Sequence, residues 1–387
     1  MLDGLINGIF NGISIGAVLL IVALGLAIVF GLMGVINLAH GELMMLGAYT
    51  TYVVQNGFKS LGEGAQDFYI LAALPMSFVV AALVGLLLER SVIRLLYGRP
   101  LETLLATWGV SLILQQFVRS VSWSMTLGIL AVCLLLFGGR AVLNRFAHLG
   151  PRQKLANFVV LILSIAIGVT VGRSFGGSDL AEPWFSARNV DVTAPSWLQS
   201  SISITDTLSF PAARLFIIAL TIVCLLGTFW FLNKSAWGLR IRSVTQNRDM
   251  SACLGIPTKR VDALTFALGS GLAGIAGCAV TLLGSVGPNL GSNYIVDAFM
   301  VVVVGGVGKL VGSIVAALII GIVTYILGSG TLVLLLPSSE ALQPLIDTAT
   351  FFATTSMAKV LVFALIIAFL QIKPAGLFPQ KGRSVEA

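Results

Sequence analysis

The sequence predicts an all-α fold: a polytopic helical membrane protein that crosses the bilayer about eleven times. Three observations carry that expectation. Of 387 residues, 57% are hydrophobic and only 10% are charged, with a mean hydropathy of +1.00, far more apolar than a chain needs when most of its surface faces water. Apolar runs close to the ~20 residues that cross a bilayer recur along the whole length. The basic residues collect between those runs, so the net charge of +7 is a topology signal and not the footprint of a nucleic-acid binder.

The first run, residues 5–30, carries Gly8, Gly12 and Gly16, a small-residue ridge that admits a close neighbour. No basic n-region precedes it, so it is expected to be a retained span and not a signal peptide. Residues 31–49 are apolar enough for membrane depth yet hold Gly31, Gly34, Asn37, His40, Gly41 and Glu42. A broken or re-entrant helix lining a cavity is one reading of that segment, and a plain loop is the other. Spans follow at 69–88 and 101–118, joined by a turn containing Arg90, Arg94 and Arg99. Two further runs, 121–137 and 156–172, flank Arg140, Arg145, Arg152 and Lys154. Residues 173–211 lack a comparable basic excess, hold Asp179, Glu182, Asp191 and Asp206, and are punctuated by Pro183 and Pro195, which marks an external loop. Residues 212–232 lead in and 261–283 lead out; 294–306 and 310–335 form a hairpin around Lys309, and 351–371 return the chain to a basic tail. The positive-inside rule then places the N-terminus outside and the C-terminus inside, with Arg119 as a mild breach. The four cysteines, Cys133, Cys224, Cys253 and Cys278, share no motif spacing, and three lie in apolar runs, as packing residues do.

The longest basic stretch between spans lies at 233–260. Lys234, Arg240, Arg242, Arg248, Lys259 and Arg260 oppose only Asp249 there, with Asp262 just beyond, so the loop is expected to face the cytoplasm. Trp237, Ile241 and Val244 recur at helical spacing with arginines between them, which predicts a short amphipathic helix near the membrane surface. Residues 249–254 add another turn or two before Gly255 and Pro257 stop it. An ordinary basic loop is the competing reading.

Motifs for nucleotide or zinc chemistry fail on physical grounds. Gly269–Ala273–Gly274 lie in GSGLAG, which imitates a dinucleotide fingerprint, but the motif sits inside an apolar span with no strand before it and reads as tight helix packing extended by Gly277. Gly308 and Lys309 lack the Ser or Thr of a phosphate loop. His40 and Glu42 form an HxE with no PCxxC elsewhere. No cofactor, metal or catalysis is expected. His40, Glu42, Asp297 and Lys309 are ionisable residues at apparent membrane depth, where each needs a partner or water unless it sits at the boundary. Asn37, Thr107, Ser111, Gln115, Asn289 and Asn293 are candidates to line a path for a neutral hydrogen-bonding solute, or to bridge helices.

Four stretches, GLAIVFGLMGVINLAHGELMMLGAY, RSVTQNRDMSACLGIPTKRVDALTFALGSGLAGIAG, VGPNLGSNYIVDAFMVVVVGGVGKLVGS and QIKPAGLFPQKGRSVE, resemble the permease subunits of branched-chain amino acid ABC importers. More narrowly, ATWGVSLILQQ and the closing KGRSVE resemble the urea-importer permease of that group. The resemblance implies a subunit of the bacterial inner membrane that works with a second homologous permease, two ATP-binding cassette ATPases and a periplasmic solute-binding protein, and that hydrolyses nothing itself. It makes 233–260 the segment that docks on the ATPase, with Trp237, Gly238, Arg240, Arg242, Arg248, Asp249, Ala252, Leu254, Gly255 and Ile256 as coupling residues. By their polarity at apparent membrane depth, Asn37, His40, Glu42, Thr107, Ser111, Gln115, Asn289 and Asn293 are the expected translocation path. Urea import by alternating access is the leading expectation, because uncharged polar candidates outnumber charged ones. Import of branched-chain or other hydrophobic amino acids is the alternative, for which Glu42 suits an ammonium group, and an ATP-independent urea channel is the weaker third reading. One stretch departs from the family pattern: between Val121 and Phe185 roughly sixty residues supply two extra spans, read as a peripheral hairpin at 122–184.

Overall fold

At bilayer depth a backbone can satisfy its polar groups only within helices or a closed barrel, and here the apolar runs become helices. The computed structural model describes residues 2–60, 62–146, 153–174, 184–185, 189–205, 208–330, 350 and 353–378. In chain order the elements are α1 (Leu2–Met33), α2 (His40–Lys59), α3 (Glu63–Gln66), α4 (Tyr69–Ser91), α5 (Pro100–Ser120), α6 (Trp123–Phe146) and α7 (Gln153–Ser174). Then come α8 (Ser196–Gln199), β1 (Ser201–Thr205), β2 (Leu208–Pro211), α9 (Ala212–Lys234), α10 (Ala236–Gln246), α11 (Arg248–Cys253) and α12 (Thr258–Thr281). The last are α13 (Leu290–Gly305), α14 (Leu310–Gly328) and α15 (Thr355–Ile372). Among the described residues, 6 helices, α1, α4, α5, α9, α12 and α14, are long and apolar enough to cross a membrane by length and composition. Shorter apolar stretches occupy α6, α7, α13 and α15. With its 20 residues α2 has the length, but His40, Glu42 and Lys59 dilute it.

The chain divides into two compact units, Met1–Ser111 with Val190–Ala387, and Leu112–Asn189. In the first, 83% of the apolar stretch of α1 and 78% of that of α12 is buried, against 22% for α9, so α1 and α12 are its core. Around them, α12 packs on α4 and α2, while α1 packs on α14, α13 and α9. Glycine permits the closest approaches. A methyl group at Gly269 would strike the backbone of Gly25, one at Gly47 the backbone of Gly274, and one at Gly277 the Met44 carbonyl. GSGLAG is thus a packing surface, as its setting in an apolar span suggests. The ridge on α1 acts likewise, with Gly12 against Ile322 and Gly16 against Ala317. In the second unit, α6 and α7 pack along each other. The Trp184 amide donates to the Val121 carbonyl at 2.9 Å, so the two ends of this excursion meet.

The structure gives detail to two sequence expectations. Residues 31–49 hold the helix break: α1 continues to Met33, Gly34 ends it in the left-handed region (φ 68), a short non-helical stretch follows, and α2 then runs on to Lys59. The stretch 173–211, expected to be an external loop, contains a two-stranded antiparallel hairpin, β1 on β2, with Ile202 opposite Phe210 and Ser203 opposite Ser209. Val190 pairs with Val286 in an isolated bridge. The alternation of Ser201, Ile202, Ser203, Ile204 and Thr205 was the available strand signal. The second external loop at 336–347, the acidic residues Asp179 and Glu182, and the tail with Lys381 and Arg383 lie outside the described residues.

Candidate functional site

The first turn of α2 starts inside the bundle. His40 Nε2 lies 3.2 Å from the Val22 carbonyl, far up α1, so residues 34–39 carry the chain back along α1 before α2 begins. A backbone entering the bundle without helical bonding needs other partners. The Leu38 amide donates to Thr107 Oγ1 of α5 at 3.2 Å, and the Ala39 amide to Asn37 Oδ1 at 3.1 Å. Ser111 Oγ, one turn beyond Thr107, donates to Glu42 Oε1 at 3.0 Å. Glu42 sits in the first turn of α2, where the helix dipole favours its negative charge. Gly41 meets Gly291 backbone to backbone, which joins the start of α2 to the start of α13.

Five of the eight expected path residues, Asn37, His40, Glu42, Thr107 and Ser111, are therefore gathered at one place. All five are buried, and the void between Asn37, Ala39, Leu88, Ile93 and Thr107 is too small for a water. This constellation is sealed in the present conformation. Gln115 belongs to the second unit. Asn289 stands at the N-terminus of α13, and Asn293, in that helix, lines a separate cavity. Of the ionisable candidates, Lys309 precedes α14 and lines a 470 Å³ cavity with Arg242, while Asp297 is ion-paired to Lys359 of α15. Sequence reading missed Lys359; a lone cation within the run at 351–371 was its only signal.

The basic loop folds as two short helices. Ser235 Oγ caps α10 by accepting from the Gly238 amide at 2.9 Å, and Asn247 Oδ1 caps α11 by accepting from the Met250 amide at 2.9 Å. Gly255, at φ 81, closes α11: its own amide bonds to the Ala252 carbonyl and the Ile256 amide to the Ser251 carbonyl, each at 3.0 Å, as in a Schellman cap. Gly238 is glycine because a methyl there would strike the Phe231 and Leu232 carbonyls. The apolar stripe of α10 is spent within the protein: Ile241 packs with Leu232 and Val261, flanked by Trp237, Val244 and Ile256. What the loop presents outward is Leu239, Met250 and Leu254, at 60, 59 and 75% exposure, beside exposed Arg240, Arg242, Asp249 and Ala252.

Arg248 differs from its neighbours. It pairs with Asp262 and lies 4.9 Å above the Tyr97 ring. The Tyr97 hydroxyl donates to the buried Glu89 at 3.4 Å, and Arg94 pairs with Glu89 at 3.1 Å. Burial, reinforced by the charges of Asp262 and Glu89, pushes the Tyr97 hydroxyl well above its usual range, so it stays a neutral donor. This network ties α11 and α12 to the turn between α4 and α5.

A glycine-packed bundle with 6 helices long and apolar enough to cross a membrane is the architecture of a polytopic helical membrane protein. Residues 8–370 match the family described as branched-chain amino acid transport system / permease component, and the chain belongs to that family. It is 27% identical over 370 residues, 95% of this chain and 93% of the relative, to the high-affinity branched-chain amino acid transport system permease protein LivH of Escherichia coli (strain K12). It is 25% identical over 314 residues, 81% of this chain and 82% of the relative, to the corresponding protein BraD of Pseudomonas aeruginosa. A shorter likeness, 32% over 111 residues, covers 27% of this chain and 34% of the ribose import permease protein RbsC of Bacillus subtilis (strain 168). No solved structure matches the chain. Both of these long relatives are named for branched-chain amino acids, and neither is named for urea.

Proposed function

We propose that this chain is the permease subunit of an ATP-driven importer of branched-chain or other hydrophobic amino acids in the bacterial inner membrane. The observation that carries the reading is the extent of likeness to relatives named as high-affinity branched-chain amino acid permeases, 95% of the chain in one case. The working partners are a second permease, two ATPases and a periplasmic solute-binding protein, with the N-terminus periplasmic and the C-terminus cytoplasmic. Exposed Leu239, Met250 and Leu254 among arginines suit an apolar groove with an acidic rim on the ATPase. From there the mechanical route is short. Both α10 and α11 pack on α12, and the glycines of α12 lock it to α1, α2 and α4. Closure of the ATPases therefore pulls on the helices that hold Asn37, His40 and Glu42, and rocks the bundle between outward and inward access.

Urea is the second reading, favoured by ATWGVSLILQQ at 106–116 and KGRSVE at 381–386. Uptake of labelled leucine and labelled urea into cells carrying the whole transporter separates the two. Leucine accumulation displaced by valine but not by thiourea is the expected outcome. Urea accumulation displaced by thiourea and not by leucine makes urea the solute. Uptake that survives loss of the ATPase subunits would leave only a channel.

A further inference from the structure

Asp297 and Lys359 form an ion pair between two apolar helices, with Lys359 Nζ 3.1 Å from Asp297 Oδ2. Their side chains are 13 and 40% exposed. Charges at membrane depth face bundle interior, water or another subunit, because hydrocarbon solvates them poorly. The pair opens onto a cavity of 510 Å³, within the range of small-molecule sites. Asn293 and Thr324 line the same cavity, and their side chains have no hydrogen-bond partner among the described residues. The apolar side chains of Leu19 and Phe363 line it too. The chamber thus offers an anion, a cation, two unspent hydrogen-bonding side chains and an apolar wall, whereas the constellation around Glu42 is sealed.

We propose that this cavity is the solute-binding chamber of the permease, in which Asp297 receives the N–H groups of the solute and Lys359 its carbonyl or carboxylate oxygen. Loading exchanges one intraprotein ion pair for two bonds to the solute, which leaves neither charge unpaired. The shared chemistry is an N–H donor and an oxygen acceptor on one small molecule. A zwitterionic amino acid and urea both have it, and only the former uses the apolar wall. The inference rests on the reading of the chain as a small-solute importer.

Two measurements on the complete transporter test it. In a background lacking the native cysteines, Asn293→Cys, with Thr324→Cys as the second position, is exposed to a small water-borne thiol reagent. We expect labelling that leucine or urea, whichever the transporter accumulates, slows at least about twofold, as a site at least half occupied would. Labelling at neither position, or labelling that neither solute slows, overturns the chamber. Then D297N/K359Q removes both charges together, so no uncompensated charge remains to disturb folding. Normal membrane levels with uptake reduced at least about tenfold are expected, since two charge-assisted bonds are lost. Full uptake in the double variant would make the pair a mere tie between helices. If the wild-type transporter accumulates neither solute, the importer reading fails instead, and the two failures stay distinct.

Discussion

Arg248 and Leu254 lie at opposite ends of one short helix and do different work. The arginine turns to Asp262 and Tyr97, while the leucine is 75% exposed at the end of the handle. Leu254→Asp should leave the protein inserted at its normal level yet cut ATP-dependent uptake at least about tenfold, because a buried apolar anchor contributes roughly 1.5–3 kcal/mol at an interface. Unchanged uptake and co-purification of the ATPase would remove Leu254 from docking. Asp262→Asn should instead act on the fold. It strands Arg248, whose side chain is 44% exposed, so the cost is about 1–2 kcal/mol and not that of a fully buried pair. A lowered midpoint of heat inactivation in detergent, with cleavage appearing at Lys259, is the signature; an unshifted midpoint would show that the pair holds nothing. In the sequence Arg240, Arg242 and Arg248 read alike. What separates them is a carboxylate on the next helix and a tyrosine ring from a distant turn, which spacing does not reveal.

At the scale of elements, the apolar runs were legible because bilayer length and hydropathy leave few alternatives to helix. The packing code was legible too, as far as it consists of small residues. Gly277→Ala should cost about 1–3 kcal/mol, since the Met44 carbonyl belongs to helix backbone and cannot yield. Gly57→Ala, at an exposed position of α2 with nothing within 4 Å, should be neutral or stabilising by up to about 1 kcal/mol. Thermal inactivation of both variants, measured side by side, checks the contrast, and equal effects would show that the close approach at Gly277 has no energetic consequence. The break after Gly34 was only half legible. The glycine marked it, but Thr107, which receives the non-helical chain at Leu38, lies on α5, and the Val22 carbonyl that meets His40 lies far up α1.

Across the whole molecule, the second unit, Leu112–Asn189, is wider than the stretch 122–184 expected to form a peripheral hairpin and contains it. The hydrogen bond from the Trp184 amide to the Val121 carbonyl places the ends of the excursion beside each other. Excising 122–184 should therefore let Val121 join Phe185 with little disturbance to the first unit. Membrane level and uptake close to those of the full chain are the expected result, read by quantitative blotting and labelled-solute accumulation. Loss of assembly with the second permease would show that the excursion is an interface.

Composition and local pattern were enough to show that this chain is a helical membrane protein, that residues 233–260 hold a short amphipathic helix stopped near Gly255, and that the glycines of α1 and α12 are packing surfaces. Those are local properties, set by hydropathy, helical period and turn chemistry. Only the tertiary structure decided that the apolar stripe of α10 is spent inside the protein, that the polar first turn of α2 is sealed against α5, and that Asp297 meets Lys359 across a separation of 62 residues. Helical periodicity reports which face of one helix is buried and carries no information on which distant side chain will stand opposite it.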